Sequence, residues 1–134
     1  MRAFKLGILT PTGQAFLGDV TSVNLRTTDG EVGILAGHTD YLAGVDVCVV
    51  KLLDVDGKPK FAFCGGGFFS MTAGEATLVA DEFVFAEALE NEAISAELEE
   101  LNARLVTVSD TQTQQFLKTR IARAEAKRRT IAAE

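Results

Sequence analysis

Residues 45–64 read VDVCVVKLLDVDGKPKFAFC, and this stretch decides the fold. It begins with a run rich in valine and leucine that extends to Val55, and it ends with the apolar residues 61–64. Between these runs lie Asp56-Gly57 and Pro59, which are typical turn residues. Valine and phenylalanine favour strands, and an Asp-Gly step favours a tight hairpin turn. The stretch therefore predicts two neighbouring strands joined by a hairpin.

The same pattern of short strands and turns continues from this hairpin in both directions. Near the start of the chain every second residue of 4–8 is apolar, which is the period of a half-buried strand. Turn residues follow at 11–13 (PTG) and at 28–30 (TDG), where the Asp29-Gly30 step favours the positive φ angles of a tight hairpin. Turns at intervals of about 8–12 residues are expected of a sandwich or barrel. The segment from Phe4 to about Phe85 is therefore predicted to be a β-sandwich.

Past Glu87 the sequence changes to a helical pattern, because glycine and proline no longer occur. Apolar residues recur at intervals of three and four, as on one face of a helix. The predicted faces carry Ile94, Leu98, Leu101 and Leu105 in a first helix, and Leu117, Ile121, Ala124 and Ile131 in a second. Ser109 and Gln112 fit a capping box that begins the second helix. The predicted class is α+β, with an antiparallel sandwich domain at residues 1–86 and an antiparallel two-helix hairpin at residues 87–134.

Charge is distributed unevenly over the two predicted helices. The first carries the acids Glu87, Glu90, Glu92, Glu97, Glu99 and Glu100, and the second carries the bases Lys118, Arg120, Arg123, Lys127, Arg128 and Arg129. These charges complement the helix dipoles and each other, and the basic helix indicates an acidic partner surface, with a solvated face as the alternative. Burying four or five leucine-sized side chains yields about 1.5–3 kcal/mol each, against about 1–2 kcal/mol of backbone entropy for every ordered residue. We therefore expect the hairpin to be marginal alone and to need a docking surface.

Composition and motifs argue against several functions. A net charge of −6 is unlike that of a nucleic-acid-binding protein. His38 is the only histidine, so neither a zinc site nor a Ser-His-Asp triad is predicted, and a role in structuring its turn is expected. Gly65-Gly66-Gly67 is followed by Phe68 rather than by the Gly-Lys-Ser/Thr of a phosphate loop, and it predicts a structural bend. We predict no catalytic residues, no metal and no cofactor.

The cysteines and the apolar runs bear on the compartment. Cys48 and Cys64 lie within strand-like apolar runs and are expected to be buried hydrophobes rather than a disulfide or redox couple. No apolar run approaches the roughly 20 residues of a membrane-spanning helix, and the first residues lack the apolar region of a signal peptide. A soluble, cytoplasmic protein is expected.

A family resemblance rests on residues 30–38, which read GEVGILAGH and are followed by Tyr41 and Leu42. This segment resembles the signature loop of ATP synthase epsilon subunits, commonly Gly-Glu-x-Gly-x-Leu-Pro-Gly-His, with Ala36 in place of the usual proline. Residues 6–13 and 16–20 are similar to the family's first hairpin, and residues 66–68 and 77–81 are similar to its later strands. The resemblance covers nearly the whole chain.

The resemblance implies a ten-stranded sandwich and a regulatory helical hairpin in a non-catalytic rotor subunit of a proton-translocating F-type ATP synthase. In that family the sandwich binds the gamma subunit and rests on the c-ring, so that it couples their rotation to the catalytic head. The family's bacterial members are peripheral proteins at the cytoplasmic face of the inner membrane. Carried over to this sequence, the c-ring contacts would be Asp29, Gly30, Glu31, Val32 and His38.

The resemblance also implies two states of the helical hairpin, lowered onto the sandwich or raised into the head of alpha and beta subunits, where it blocks ATP hydrolysis. The residues expected to meet acidic groups of the catalytic beta subunits are Lys118, Arg120, Arg123, Lys127 and Arg128. Some bacterial members bind regulatory ATP through a hydrophobic-Asp-x-x-Arg-Ala motif that opens the first helix. Here residues 89–94 (LENEAI) keep an acid and lose the arginine, which argues against ATP binding. The nucleotide contacts would be Glu90, Arg123 and Lys127.

Two other functions remain open from the residues alone. One is a freestanding adaptor of the same shape that binds an unrelated acidic partner. The other is a small enzyme or ligand carrier that uses the glycine-rich turn, and it would need a pocket between the two sheets.

Overall fold

A computed structural model describes residues 2–134, which form ten strands and two α-helices. The strands are β1 (Phe4–Thr10), β2 (Gly13–Val20), β3 (Ser22–Thr27), β4 (Gly30–Leu35), β5 (Tyr41–Val45), β6 (Cys48–Leu53), β7 (Pro59–Cys64), β8 (Gly67–Thr72), β9 (Glu75–Ala80) and β10 (Phe83–Phe85). The helices are α1 (Asn91–Leu105) and α2 (Thr111–Ala133), and a 3₁₀ turn at Ala86–Ala88 leads from β10 towards α1. None of these helices is long and apolar enough to cross a membrane.

The ten strands form one continuous sheet that folds into two layers. One layer has the order β10-β7-β6-β3, with β4 beside β3, and the other has the order β5-β8-β9-β1-β2. The layers are joined where Thr27 of β3 pairs with Val45 of β5. Neighbouring strands are antiparallel except for β1 and β9, which run parallel. The predicted α+β class is confirmed, with a ten-stranded sandwich followed by two helices.

Apolar side chains fill the space between the layers. Phe4, Leu6 and Ile8 are buried on one side of β1, as their alternation predicted. Cys48 and Cys64 lie opposite each other on β6 and β7 and are buried in this core, as expected. The hydrogen bond to Cys48 and the burial of its own thiol both raise the pKa of Cys64, so Cys64 stays protonated. Other core residues are Val20, Val23, Leu25, Ile34, Val50, Leu52, Phe69, Met71 and Leu78.

Short turns close the hairpins that residues 11–13 and 28–30 predicted. Thr27 pairs with Gly30, so the second of these hairpins has the two-residue loop Thr28-Asp29. The positive φ of this turn, +120°, belongs to Gly30 and not to Asp29. The hairpin is confirmed, and its backbone freedom comes from the glycine that begins β4.

The glycine triplet is a bend between β7 and β8, as predicted. Gly67 has a φ of +155°, and a Cβ atom there would overlap the carbonyl oxygen of Val79. Strands β8 and β9 pair at this point, with Gly67 opposite Ala80. Only glycine lets the two backbones approach so closely.

The cap of the second helix differs from the prediction. Ser109 was expected to cap it together with Gln112, but the helix begins one residue later and Asp110 is the N-cap. The Asp110 carboxylate accepts hydrogen bonds from the amide and the hydroxyl of Thr113, each at 2.7 Å. These bonds hold the pKa of Asp110 below its usual value. The prediction was wrong because a carboxylate at the N-cap both accepts these bonds and carries the charge that a helix N-terminus favours.

The two helices pack against each other through their predicted apolar faces. Ile94, Leu98 and Leu101 of α1 are buried, as are Leu117 and Ala124 of α2. A second side of α2, which the sequence did not predict, is also buried and includes Ala126 and Thr130. Helix α2 contacts β6, β7 and the 3₁₀ turn, so it lies between α1 and the sandwich. The hairpin is therefore docked on the sandwich through α2.

Candidate functional site

Two basic residues of α2 bind the helical hairpin to the sandwich. Arg123 Nη2 lies 2.6 Å from Glu82 Oε1, and Lys127 Nζ lies 3.1 Å from Glu82 Oε2. Arg123 Nη1 donates to the carbonyl oxygen of Gly65 at 3.1 Å and lies 3.2 Å from Asp81 Oδ2. We call Gly65, Asp81, Glu82, Arg123 and Lys127 the Glu82 cluster. Its contacts join the end of β7 and the link between β9 and β10 to the middle of α2.

The sandwich holds this cluster in place through its backbone and one aromatic ring. The backbone amide of Asp81 donates to the carbonyl oxygen of Gly66 at 3.0 Å, and the backbone amide of Gly65 donates to the carbonyl oxygen of Glu82 at 2.8 Å. The fully buried ring of Phe63 lies beneath the two cations, with its centroid 5.5 Å from the guanidinium carbon and 5.2 Å from the ammonium nitrogen. A cation over an aromatic face contributes about 0.5–2 kcal/mol. The docking surface expected for the hairpin is therefore partly aromatic and partly acidic.

The electrostatics of the Glu82 cluster favour the charged forms of its members. Partial burial alone would raise the pKa of Glu82, but hydrogen bonds from Arg123 and Lys127 outweigh burial and hold that pKa below its ordinary value. Partial burial would likewise lower the pKa of Arg123, and the Glu82 and Asp81 carboxylates reverse this and raise it. Because both shifts favour ionisation, the ion pairs stabilise the docked hairpin at neutral pH.

The five basic residues assigned to the catalytic head fall into three groups. Arg123 and Lys127 belong to the Glu82 cluster. Arg120 lies 3.7 Å from Glu97 of α1 and over the ring of Phe116. Lys118 and Arg128 are exposed and form no ion pair with any residue that the structure describes. The charges of the two helices thus complement each other through one described ion pair, and the other paired cations of α2 face the sandwich.

The three residues assigned to a nucleotide are only partly brought together. Arg123 and Lys127 are neighbours, but Glu82 and Asp81 already pair with both of their charges. Glu90 is exposed at the start of α1 and forms no ion pair with either of them. A nucleotide phosphate at this place would have to displace the carboxylates.

Among residues 2–134 no group of three or more potential metal ligands occurs.

The residues assigned to the c-ring lie at two ends of β4. Asp29, Gly30, Glu31 and Val32 are at the β3–β4 turn, where β4 begins, and His38 follows the other end of that strand. Because a strand rises about 3.3 Å per residue, roughly 17–20 Å separates the two places. His38 Nδ1 lies 2.8 Å from the carbonyl oxygen of Thr39, and its amide donates to Leu35. These bonds confirm the expected role of His38 in structuring its turn.

A further surface, which sequence reasoning missed, lies on the outer side of the layer β5-β8-β9-β1-β2. Leu9, Val79 and Phe68 are in register across β1, β9 and β8, so their side chains share one face. Leu17 and Leu42 lie in the adjacent row of the same face, on β2 and β5. All five are large, apolar and exposed, with Phe68 at 63% and Leu42 at 75%. We call these five residues the outer apolar face, and such a patch is typical of a binding surface.

The sequence did contain a signal for the outer apolar face. Ile8-Leu9, Phe16-Leu17, Phe68-Phe69 and Leu78-Val79 are pairs of consecutive apolar residues inside strands. Because successive side chains of a strand point to opposite faces, one member of each pair has to leave the core. A strand with such pairs is apolar on both sides, and its outward side chains form the outer apolar face.

Comparison with known proteins agrees with this fold. Residues 3–86 match the family described as ATP synthase, Delta/Epsilon chain, beta-sandwich domain. The chain is 31% identical over 110 residues to the ATP synthase epsilon chain of Bacillus velezensis, which covers 82% of this chain and 83% of that one. It is 27% identical over 110 residues to the Propionigenium modestum protein named ATP synthase epsilon chain, sodium ion specific, with 82% and 80% covered.

A likeness to a solved structure extends over both helices. A chain in the cryo-EM structure of the Euglena gracilis mitochondrial ATP synthase matches with a TM-score of 0.81 and 22% identity, covering 98% of this chain and 81% of that one. At this identity the likeness supports the fold, including the placement of a helical pair after the sandwich.

Proposed function

This chain belongs to the ATP synthase epsilon-chain family, and from that membership we propose that it is a rotor subunit of the central stalk of a proton-translocating F-type synthase. It is a non-catalytic subunit of the complex. In this role it couples rotation of the gamma subunit and the c-ring to the alpha and beta subunits of the catalytic head. We assign it to the cytoplasmic face of the bacterial inner membrane, held there through the complex, without a nucleic-acid partner or a bound cofactor.

The outer apolar face is the observation that carries this proposal. Five exposed leucine, valine and phenylalanine side chains on a rigid sheet would cost solubility if water covered them permanently. A partner that buries them gains about 25 cal/mol for each Å² of apolar surface removed from water. A subunit that rotates together with a shaft needs a stable apolar interface with it. We therefore propose that the gamma subunit covers the outer apolar face.

Truncation of Phe68 tests the gamma contact. We expect Phe68→Ala to weaken binding to the purified gamma subunit by about tenfold, since large aromatic side chains near the centre of an interface often contribute more than 1 kcal/mol. The measurement is isothermal titration of the gamma subunit with the full chain. Val55→Ala is the matched control, because Val55 is equally exposed at 59% but lies in the β6–β7 turn of the other layer. Equal affinities of Phe68→Ala and the wild type, or no binding by the wild type, would contradict the proposal.

The β3–β4 turn is our proposed contact with the c-ring. Asp29 and Glu31 are exposed at this end of the sandwich, and Gly30 and Val32 form its hairpin backbone. These acids can accept hydrogen bonds from polar loops of the ring. Since His38 lies a strand's length away, we assign it to a separate part of the rotor interface rather than to the same contact.

We also propose that the helical hairpin restrains ATP hydrolysis by rising into the catalytic head. The basic residues of α2 would then meet acidic groups of the beta subunits. Lys118 and Arg128 are available for this contact in the docked state, whereas Arg123 and Lys127 first have to leave Glu82. Arg120 would leave Glu97. We therefore propose that Arg123 and Lys127 hold the hairpin down, whereas Lys118 and Arg128 act only when it is raised.

This separation gives a selective test of inhibition. We expect the double variant Lys118→Ala/Arg128→Ala to raise ATP hydrolysis by the reconstituted complex several-fold, because it removes contacts with the head without loosening the docked state. The isolated double variant should retain the wild-type melting temperature, as both side chains are exposed. An unchanged rate of hydrolysis would count against a role for these two cations in inhibition.

A further inference from the structure

A cleft on the outer side of the other layer shares only Glu31 and Val32 with the contacts proposed above. It holds about 440 Å³ and lies between α2 and the strands β3, β4 and β6. Arg26 of β3, Lys51 of β6 and Arg129 of α2 line it, together with the carboxylate of Glu31. Four elements thus contribute three positive charges and one negative charge to a single cleft, in a chain whose net charge is −6.

The three cations have no acidic partner within residues 2–134, and Lys51 contacts only an aromatic ring, with its Nζ 5.9 Å from the centroid of Phe61. None of Arg26, Lys51 and Arg129 forms an ion pair with any residue of the described chain. Glu31 pairs with Arg26 in the register of β3 and β4, yet the two side chains do not form an ion pair. Like charges around one cleft repel each other, and an anion that binds there would relieve this repulsion.

The strand side of the cleft also offers a neutral hydrogen-bond donor. Asn24 of β3 lines the cleft, and its side-chain amide donates to no protein acceptor within residues 2–134. Gly33 lies opposite Asn24 on β4, and a Cβ atom at Gly33 would approach Asn24 Oδ1 to 2.7 Å. Glycine at this position therefore leaves room for the asparagine side chain across the strand.

From this arrangement we propose that the cleft binds a phosphate-bearing anion, which accepts hydrogen bonds from Arg26, Lys51, Arg129 and Asn24. Guanidinium and ammonium groups from separate elements suit a ligand with several phosphate oxygens. The volume is in the range of small-molecule sites and exceeds the need of a single inorganic ion. The cleft is distinct from the Glu82 cluster, with which it shares no residue.

The anion also links the two parts of the chain. Arg129 belongs to α2, whereas Arg26 and Lys51 belong to the sandwich. The complete site therefore exists only while the hairpin is docked, and a ligand that binds it stabilises the docked state by mass action. This consequence rests on the proposed movement of the hairpin, whereas binding to the docked chain does not.

Titration of the isolated full chain with pyrophosphate at constant ionic strength tests the proposal. We expect saturable binding to the wild type, and binding about tenfold weaker in each of Lys51→Gln and Arg129→Gln, because each removes one charged donor. Arg128→Gln is the matched control, since Arg128 is the next residue of the same helix and does not line the cleft. The melting temperature without ligand should be the same in all variants.

Two further arms identify the source of the phosphate and exclude another site. Co-sedimentation with vesicles that contain anionic phospholipid, lost in Lys51→Gln, would identify a lipid headgroup as the ligand, whereas pyrophosphate binding alone identifies a free phosphate compound. Absence of binding in both arms would overturn the proposal. So would binding that Arg123→Gln abolishes and Lys51→Gln leaves intact, because the anion would then occupy the Glu82 cluster. Binding of the gamma subunit by the same variants should be unchanged, which keeps this test separate from the rotor proposal.

Discussion

Gly67→Ala is expected to destabilise the protein by about 3 kcal/mol or more, and to lower its melting temperature by roughly 10 °C. The methyl group would overlap the carbonyl oxygen of Val79, and the next nearest atoms are also backbone atoms of β9. Val79 is paired on both sides, with Phe68 of β8 and Leu9 of β1, so its backbone cannot move aside as the end of a flexible side chain can. In addition, the φ of +155° is one that alanine rarely adopts. Chemical denaturation followed by circular dichroism measures the loss.

Gly13→Ala is the matched control for this prediction. Gly13 also has a positive φ, +130°, but a Cβ atom there would meet nothing within 4 Å. Its substitution is expected to cost about 1–2 kcal/mol from backbone strain alone. The difference between the two variants isolates the steric contribution of the β8–β9 contact. Equal destabilisation would mean that β8 and β9 do not approach each other as closely as described.

Arg123→Ala is expected to release the helical hairpin from the sandwich. The substitution removes hydrogen bonds to Gly65, Asp81 and Glu82 and the contact with Phe63. Because the Asp81 side chain is 59% exposed, water screens its ion pair and that contact contributes little. The remaining contacts lead us to expect a loss of about 2 kcal/mol in docking free energy. Amide hydrogen exchange in α1 and α2 should accelerate about 30-fold, while exchange in the core strands should not change.

The control for this prediction is Arg128→Ala, which removes a cation of the same helix that has no ion pair in the described chain. It should leave exchange in both helices within about twofold of the wild type. Wild-type exchange rates in the Arg123→Ala hairpin would show that the Glu82 cluster does not hold the docked state.

The Glu82 cluster should also make docking sensitive to acid. Because the pKa of Glu82 is lowered in the docked state, its contribution is fully present above the ordinary value of 4.5 and is lost as the pH falls through the lowered pKa. A spin-label distance between α1 and the sandwich, followed below pH 4.5, should therefore lengthen in the wild type. The Glu82→Gln variant should lack this step.

Local patterns in the sequence predicted the elements of this fold but not how all of them meet. Alternation in residues 4–8 and the apolar spacing from Ile94 to Leu105 were sufficient for a strand and a helix, because these periods depend only on neighbouring residues. The parallel pairing of β1 with β9 joins segments about 70 residues apart, and no local pattern specifies it. The cap at Asp110 differs from the predicted Ser109 by one residue, since both residue types serve as N-caps.

The candidate sites were predictable to different degrees for similar reasons. Arg123 and Lys127 belong to the basic run that the sequence analysis singled out, but no pattern in the sequence marked Glu82, in the turn between β9 and β10, as their partner. Only the tertiary fold brings that turn against α2. The five residues assigned to the c-ring are close in sequence, yet a strand between them separates His38 from the rest. Proximity along an extended chain therefore says little about a shared surface.

The position of α2 between α1 and the sandwich has a consequence for synthesis of the protein. Helix α1 packs chiefly on α2, and its 15 residues are close to the shortest length at which a lone helix persists in water. The ribosome synthesises α1 before α2, so the α1 segment remains largely without helical structure while the sandwich is already able to fold. The folding of α1 therefore waits for the synthesis of α2. Premature termination after residue 105 would leave a folded sandwich followed by a disordered segment.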